Sequence, residues 1–131
     1  MYPEHPAGDI ELSLVIPAYN EQETIGVLLD RIEEIFKEVH YAFEAIVIDD
    51  GSFDQTLELL KRAKKERSWL RVLSLDRNHG QTAAMSAGFR VATGRIIATL
   101  DADLQNDPAE VPRLMAMLGD YDAVVGWRKD R

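Results

Sequence analysis

The sequence contains no cysteine, which excludes a disulfide framework, a thiolate zinc site and a cysteine nucleophile. Positive charge is scarce: 15 lysines and arginines stand against 23 acids, for a formal charge of -8. Nucleic-acid binding needs a basic face, and none is visible. No run approaches the ~18 apolar residues of a membrane span, and the polar first residues, with Pro3 and Pro6, lack the apolar centre of a signal peptide. The spaced glycines of a dinucleotide-binding turn and a phosphate loop of the Walker type are missing, which argues against NAD enzymes and P-loop NTPases. Internal repeats, low-complexity tracts and dividing linkers are absent as well.

What is present is ordinary for a soluble globular chain: 131 residues, 46% hydrophobic and 29% charged, enough for one domain with a core. Residues 1-11 read as a flexible lead and 12-131 as the domain. Leu12 to Ile16 reads as a strand stopped by Pro17, after which Asn20 and Glu23 form a capping pair. The following helix keeps Ile25, Leu28, Leu29, Ile32, Ile35, Phe36 and Val39 on one face. A second strand, Ala45 to Ile48, ends in Asp49-Asp50-Gly51-Ser52. Ser52 and Gln55 predict another capped helix through about Arg67, with Leu57, Leu60 and Ala63 inward. Leu70 to Leu75 alternates like a strand near a sheet edge, and Asp76 to Gly80 turns into a helix whose Ala83, Ala84, Ala87 and Gly88 permit close packing, ending at Gly94. The strand Ile96 to Leu100 follows. Asp107-Pro108-Ala109-Glu110 then reads as cap, first-turn proline and capping partner, with Pro112 late for a first turn. A last strand, Ala123 to Gly126, runs into Trp127-Arg128-Lys129-Asp130-Arg131, an ending without cap or polar tail that suggests truncation. Strands alternating with helices through short loops predict an α/β, Rossmann-like, doubly wound and mainly parallel sheet.

The organising stretch is Ile96 to Pro108. An uncharged strand delivers Asp101 and Asp103 to its end, where two unpaired carboxylates in a core would be costly. In a parallel sheet the tips of strands one, two and four share one edge, so the loops after them should converge. A divalent cation carrying a phosphorylated ligand would neutralise the acids there.

Val15-Ile16-Pro17-Ala18-Tyr19-Asn20-Glu21, Ile48-Asp49-Asp50-Gly51-Ser52, Asn78-His79-Gly80 and Asp101-Ala102-Asp103-Leu104-Gln105 together carry a resemblance. From about residue 12 to 131 the chain resembles the N-terminal half of glycosyltransferase family 2, which has the GT-A fold. Asp-Ala-Asp-Leu-Gln and the ending Val-Val-Gly-Trp-Arg are most similar to the branch of dolichyl-phosphate mannose synthases and bacterial polyprenyl-phosphate glycosyltransferases. The resemblance implies an inverting, metal-dependent transfer from a nucleotide-diphosphate sugar to a polyprenyl phosphate at the cytoplasmic face of a membrane, with peripheral membrane contact. It places Pro17, Ala18, Tyr19, Glu21, Ile48 and Asp50 at the base and ribose. Asp101, Ala102, Asp103 and Gln105 fall at the Mg²⁺ or Mn²⁺ and diphosphate, and Arg128 at a phosphate, which a planar guanidinium holds well.

Two other readings stand beside this one: a truncated nucleotide-sugar-binding module without turnover, and an aspartate-dependent phosphatase or phospho-acceptor domain using Asp101 and Asp103. Residue by residue, plainer roles also exist. Asp49 is expected to bond backbone N–H groups while Asp50 reaches the ligand; Ser52 and Asp54 serve the helix N-terminus; Asp107 is a cap; His79 is a surface residue; Trp127 packs.

Overall fold

The computed structural model describes residues 9–118. Strand and helix alternate: β1 (Leu12–Ala18), α1 (Ile25–Phe36), β2 (Phe43–Asp49), α2 (Thr56–Glu66), β3 (Leu70–Ser74), α3 (Gln81–Val91), β4 (Ile96–Thr99) and α4 (Glu110–Leu118). Every pairing is parallel and the sheet order is β3-β2-β1-β4. The chain therefore steps outward twice from β1 and then returns to its other side. That reversal leaves a crevice between the carboxyl ends of β1 and β4, the place where open α/β sheets bind ligands.

Alternation along the strands divides the core. Leu12, Leu14, Ile16 and Ala18 face α1, α2 and α4, joining Leu28, Leu29, Ile32, Leu60 and Val111. Val15, Ile46 and Ile48 face the opposite way and pack under Ala84 of α3. Each fully buried leucine or isoleucine contributes about 1.5–3 kcal/mol. Gly88 lets α3 lie close: a Cβ there would stand 2.6 Å from Val15 Cγ1 and 2.8 Å from Ile48 Cδ1.

Several expected boundaries move. Pro17 does not stop β1, which continues to Ala18. Val15 O accepts from Leu100 N, so Val15 and, two residues on, Pro17 aim their backbone at β4. The β4 pairing ends at Val15, and the missing proline N–H therefore has no ladder bond to lose. Asn20 and Glu23 do not cap α1, which starts after Thr24; Asn20 takes φ 52° and its Oδ1 accepts from Phe53 N and Asp54 N instead. Ser52 and Gln55 do not cap α2 either. Asp54 Oδ1 accepts the Thr56 N–H at 2.9 Å, and Ser52 Oγ accepts from Asn20 N.

Leu59, not Leu57, packs beside Leu60 and Ala63. Helix α3 stops at Val91, before Gly94. Pro112 lies inside the first turn of α4, where an amide has no intrahelical acceptor. Among the described residues β4 is an edge strand, with Ile97 44% exposed, rather than the buried run its composition suggests. The expected strand at Ala123 to Gly126, with Trp127 and Arg128, lies outside the described residues.

At the amino edge of the sheet sits a buried carboxylate. Glu44, 3% exposed, accepts from Ser13 Oγ at 2.6 Å, Thr93 N at 2.8 Å, Thr93 Oγ1 at 2.9 Å and Arg71 Nη1 at 2.8 Å. Burial opposes its ionisation, but these hydrogen bonds outweigh it and hold the Glu44 pKa below the ordinary value.

Candidate functional site

Three loops meet at the carboxyl edge. The loop after β1 and the loop after β2 are laced together: Asn20 N donates to Ser52 Oγ at 2.8 Å, Glu21 N to Thr56 Oγ1 at 2.8 Å and Gln55 N to Gln22 Oε1 at 3.0 Å. Asp54 receives Gln22 N at 3.3 Å as well as Thr56. Desolvation works against the Asp54 carboxylate, yet the bonds from Thr56 and Gln22 prevail and lower its pKa.

Asp50 organises the third loop. Its Oδ1 accepts His79 N at 2.8 Å, and its Oδ2 accepts Gly80 N at 3.0 Å and Asn78 Nδ2 at 3.2 Å. The turn from Asp76 to Gly80 is thereby drawn over Gly51, which needs φ 71° and has no room for a side chain. The division of labour between the paired aspartates is thus not the expected one. Asp50 takes the backbone N–H groups, while Asp49, 1% exposed, has an Oδ1 that is buried without a hydrogen-bond partner. The reason is alternation: Asp49 is the last residue of β2 and its side chain turns into the sheet, whereas Asp50 begins the loop. A carboxylate has about four acceptor positions, so Asp50 still has one on Oδ1 to offer. His79, exposed as expected, pairs its Nε2 with Asp76 Oδ1 at 2.7 Å, and that bond lowers the Asp76 pKa.

Between these loops lies a cleft of about 550 Å³, lined by Pro17, Ala18, Tyr19, Glu21, Asp50, Asn78, Gly80, Gln81, Asp101, Ala102 and Asp103. Asp101 is half-buried and Asp103 exposed. As expected, both stand past the end of the strand: β4 has stopped at Thr99 and water reaches both acids. Asp103 Oδ1 accepts its own loop's Gln105 N at 3.1 Å, and Gln81 Nε2 reaches Asp101 Oδ1 at 3.4 Å from across the cleft. Tyr19 is 42% exposed and meets Phe53 edge-on, with ring centroids 6.2 Å apart. The amino end of α3 abuts the cleft with no cap or acid from its own first turn, and the Asp50 carboxylate that takes the Gly80 N–H sits at that partly positive end.

Two of the residues expected in the site stand elsewhere. Ile48 does not line the cleft: it is 0% accessible and packs under α3, because its side chain alternates with that of Asp49. Gln105 does not line the cleft, and what it gives is its backbone N–H to Asp103. Arg128 lies outside the described residues. Gln81 was not anticipated, and Asn78 and Gly80 had no assigned role. Their signal was the turn Asn78-His79-Gly80 after β3, whose tip shares the edge with the others.

The lining, among the described residues, holds four carboxylates, Glu21, Asp50, Asp101 and Asp103, and no lysine or arginine. Among the described residues no three histidines, aspartates or glutamates cluster to hold a metal. Asp101 and Asp103 alone offer hard oxygen donors of the kind Mg²⁺ and Mn²⁺ prefer, with the remaining positions open to ligand oxygens and water.

A parallel sheet with its crevice between β1 and β4 and an acid pair at the mouth is the nucleotide-binding half of a GT-A fold. Glucosyl-3-phosphoglycerate synthase from Mycobacterium tuberculosis, solved with Mn²⁺, uridine diphosphate and phosphoglyceric acid, superposes with a TM-score of 0.65 at 29% identity over 83% of this chain and 39% of that one. The family description "Glycosyl transferase family 2" matches residues 13–131, and the chain belongs to that family. Dodecaprenyl-phosphate galacturonate synthase of Rhizobium johnstonii is 45% identical over 96% of this chain and 38% of its own length. Undecaprenyl-phosphate 4-deoxy-4-formamido-L-arabinose transferase of Pseudomonas fluorescens is 47% identical over 92% of this chain and 36% of its own length. The chain thus spans well under half the length of these curated relatives. No helix among the described residues is long and apolar enough to cross a membrane.

Proposed function

We propose that this chain holds the nucleotide end of a nucleotide-diphosphate sugar, with Mg²⁺ or Mn²⁺, for inverting transfer of the sugar to a polyprenyl phosphate. The observation that carries the reading is the lining of the cleft, where, among the described residues, four carboxylates without a basic side chain gather at the amino end of α3. An anionic diphosphate enters such a place only with a cation. Tyr19 gives the base a ring to stack on, and Glu21 and the free position on Asp50 accept from base N–H or ribose hydroxyl groups. Pro17 and Ala18 form the floor and Ala102 the side wall.

Asp101 and Asp103 would hold the metal, whose chemistry there would be Lewis-acid stabilisation of charge on the leaving nucleoside diphosphate. Gln105 serves through its backbone, fixing Asp103. Arg128 is assigned to a phosphate on its chemistry. A lipid phosphate is ionised at neutral pH, so displacement at the sugar carbon asks for alignment more than for a general base. The names of the relatives support a polyprenyl-phosphate acceptor, and an acceptor with a lipid chain puts the work at a membrane face, which on this reading is the cytoplasmic one.

Calorimetric titration with UDP and with GDP, with and without Mn²⁺, tests the reading. Binding is expected to strengthen with Mn²⁺, and Asp103→Ala is expected to cut that enhancement by about tenfold or more. Equal binding by both proteins with and without metal overturns it. Binding without transfer to undecaprenyl phosphate would leave a donor-binding module alone.

A further inference from the structure

Thr24 touches both walls of the cleft with one hydroxyl. It precedes α1 and is half-buried; its Oγ1 lies 2.8 Å from the Ala102 carbonyl oxygen, 3.0 Å from Glu21 Oε2 and 3.4 Å from the Glu21 carbonyl. All three neighbours are acceptors, and a hydroxyl has one proton to give. Ala102 O is the nearest. That carbonyl belongs to the residue between Asp101 and Asp103, 78 positions along the chain, while the competing carboxylate is Glu21 on the facing wall. The hydroxyl forms no capping bond to α1, so helix stability does not account for it.

The loop it holds needs a tether. Around the acid pair its other short bonds are local, from Asp101 N to Asn106 Oδ1 at 3.3 Å and from Gln105 N to Asp103 Oδ1 at 3.1 Å; the long-range hold from Arg31 Nη2, at 3.0 Å, falls on Asp107, past both acids. Leu104 within it adopts φ 68°, a conformation that costs about 1 kcal/mol or more in a residue with a side chain. The Gln81 contact with Asp101 is long at 3.4 Å.

Resting on the nucleotide-sugar reading, we propose that Thr24 is a positioning residue that couples the nucleoside end of the cleft to the set of the Asp101–Asp103 loop. In the empty cleft the Thr24 proton is contested by Ala102 O and the Glu21 carboxylate. A ligand N–H or O–H that donates to Glu21 weakens the carboxylate's claim and commits the proton to Ala102. The loop is then fixed with its two carboxylates in place for the metal. Nucleoside and metal binding thereby reinforce one another, and by linkage each strengthens the other equally.

The test is UDP affinity with and without Mn²⁺ for the wild-type chain, Thr24→Val and Thr24→Ser. Thr24→Val is expected to reduce the Mn²⁺ enhancement about five- to tenfold, in line with the loss of one hydrogen bond, while metal-free affinity changes less than about twofold. Thr24→Ser is expected to restore the enhancement. A merely structural role would weaken both affinities together, and that result, or an undiminished enhancement in Thr24→Val, overturns the proposal. Should Thr24→Val not fold, Thr24→Ala gives the same comparison. A wild-type chain with no Mn²⁺ enhancement, matched by Asp103→Ala, overturns the nucleotide-sugar reading and this coupling with it.

Discussion

Gly51 is where a single methyl group would do most damage. Its φ of 71° already disfavours a side chain, and a Cβ there would run into the Arg77 and Asn78 backbone, with Arg77 Cα at 2.6 Å. Those neighbours are main chain and cannot rotate away. Gly51→Ala is expected to lower stability by about 2 kcal/mol or more in urea unfolding and to weaken UDP binding, because Asp50 would lose the three donors of the displaced turn.

Glu44 makes a different prediction at the same scale. Its folded pKa is depressed below 4.5, so its contribution is fully present above that value and is lost as pH falls through the folded pKa. Glu44→Gln is expected to cost about 1–3 kcal/mol near neutral pH and to flatten the acid limb of the stability curve. An unchanged acid limb would show that the carboxylate is not what the low-pH loss reports.

At the scale of elements, α3 matters most, because its amino end faces the cleft and its Gly88 sets how closely it lies on β1 and β2. Gly88→Val is expected to destabilise by about 1–3 kcal/mol through overpacking and to shift α3 away from Val15 and Ile48, measurable as a lower urea midpoint and weaker nucleotide binding together. The stripe Ala83, Ala84, Ala87 and Gly88 was legible as a close-packing face, and Ala84 and Gly88 are indeed its buried members. Helix ends were harder to read. Asn20 and Ser52 carry capping side chains, yet Ser52 serves Asn20, 32 residues away, and Asn20 serves Phe53 and Asp54, 33 and 34 residues away, partnerships that local spacing does not reveal. Asp54 caps instead because Asn20 and Gln22 bind the residues around it. The edge position of β4 was hidden for a related reason: an uncharged run reports apolar composition and says nothing about which strands lie beside it.

For the molecule as a whole, order and spacing of strands sufficed to predict a parallel sheet whose tips gather acids at one edge. That edge now shows one cleft. Pro17, Ala18, Tyr19, Glu21 and Asp50 come to it from β1 and β2, Asp101, Ala102 and Asp103 from β4. Ile48 escaped correct placement because a one-residue step along a strand reverses the face, and Gln81 because contacts across a cleft leave no mark on spacing. The opposite edge carries the Glu44 network, which ties β1, β2, β3 and the segment after α3 together. Stability and binding are thus separable: Glu44→Gln is expected to leave UDP affinity within about twofold at temperatures where the protein is folded.

The central claim is that a single cleft brings nucleotide and metal together between Tyr19 and the Asp101–Asp103 loop. The most direct measurement is Mn²⁺-induced broadening of amide signals in the labelled chain with UDP present. The account predicts broadening centred on residues 101 to 105 and extending to residues 19 to 21 and 80 to 81, with the effect of Mn²⁺ alone weaker at the same positions. Broadening centred instead on the acidic outer face of α1, around Glu33 and Glu34, would contradict it.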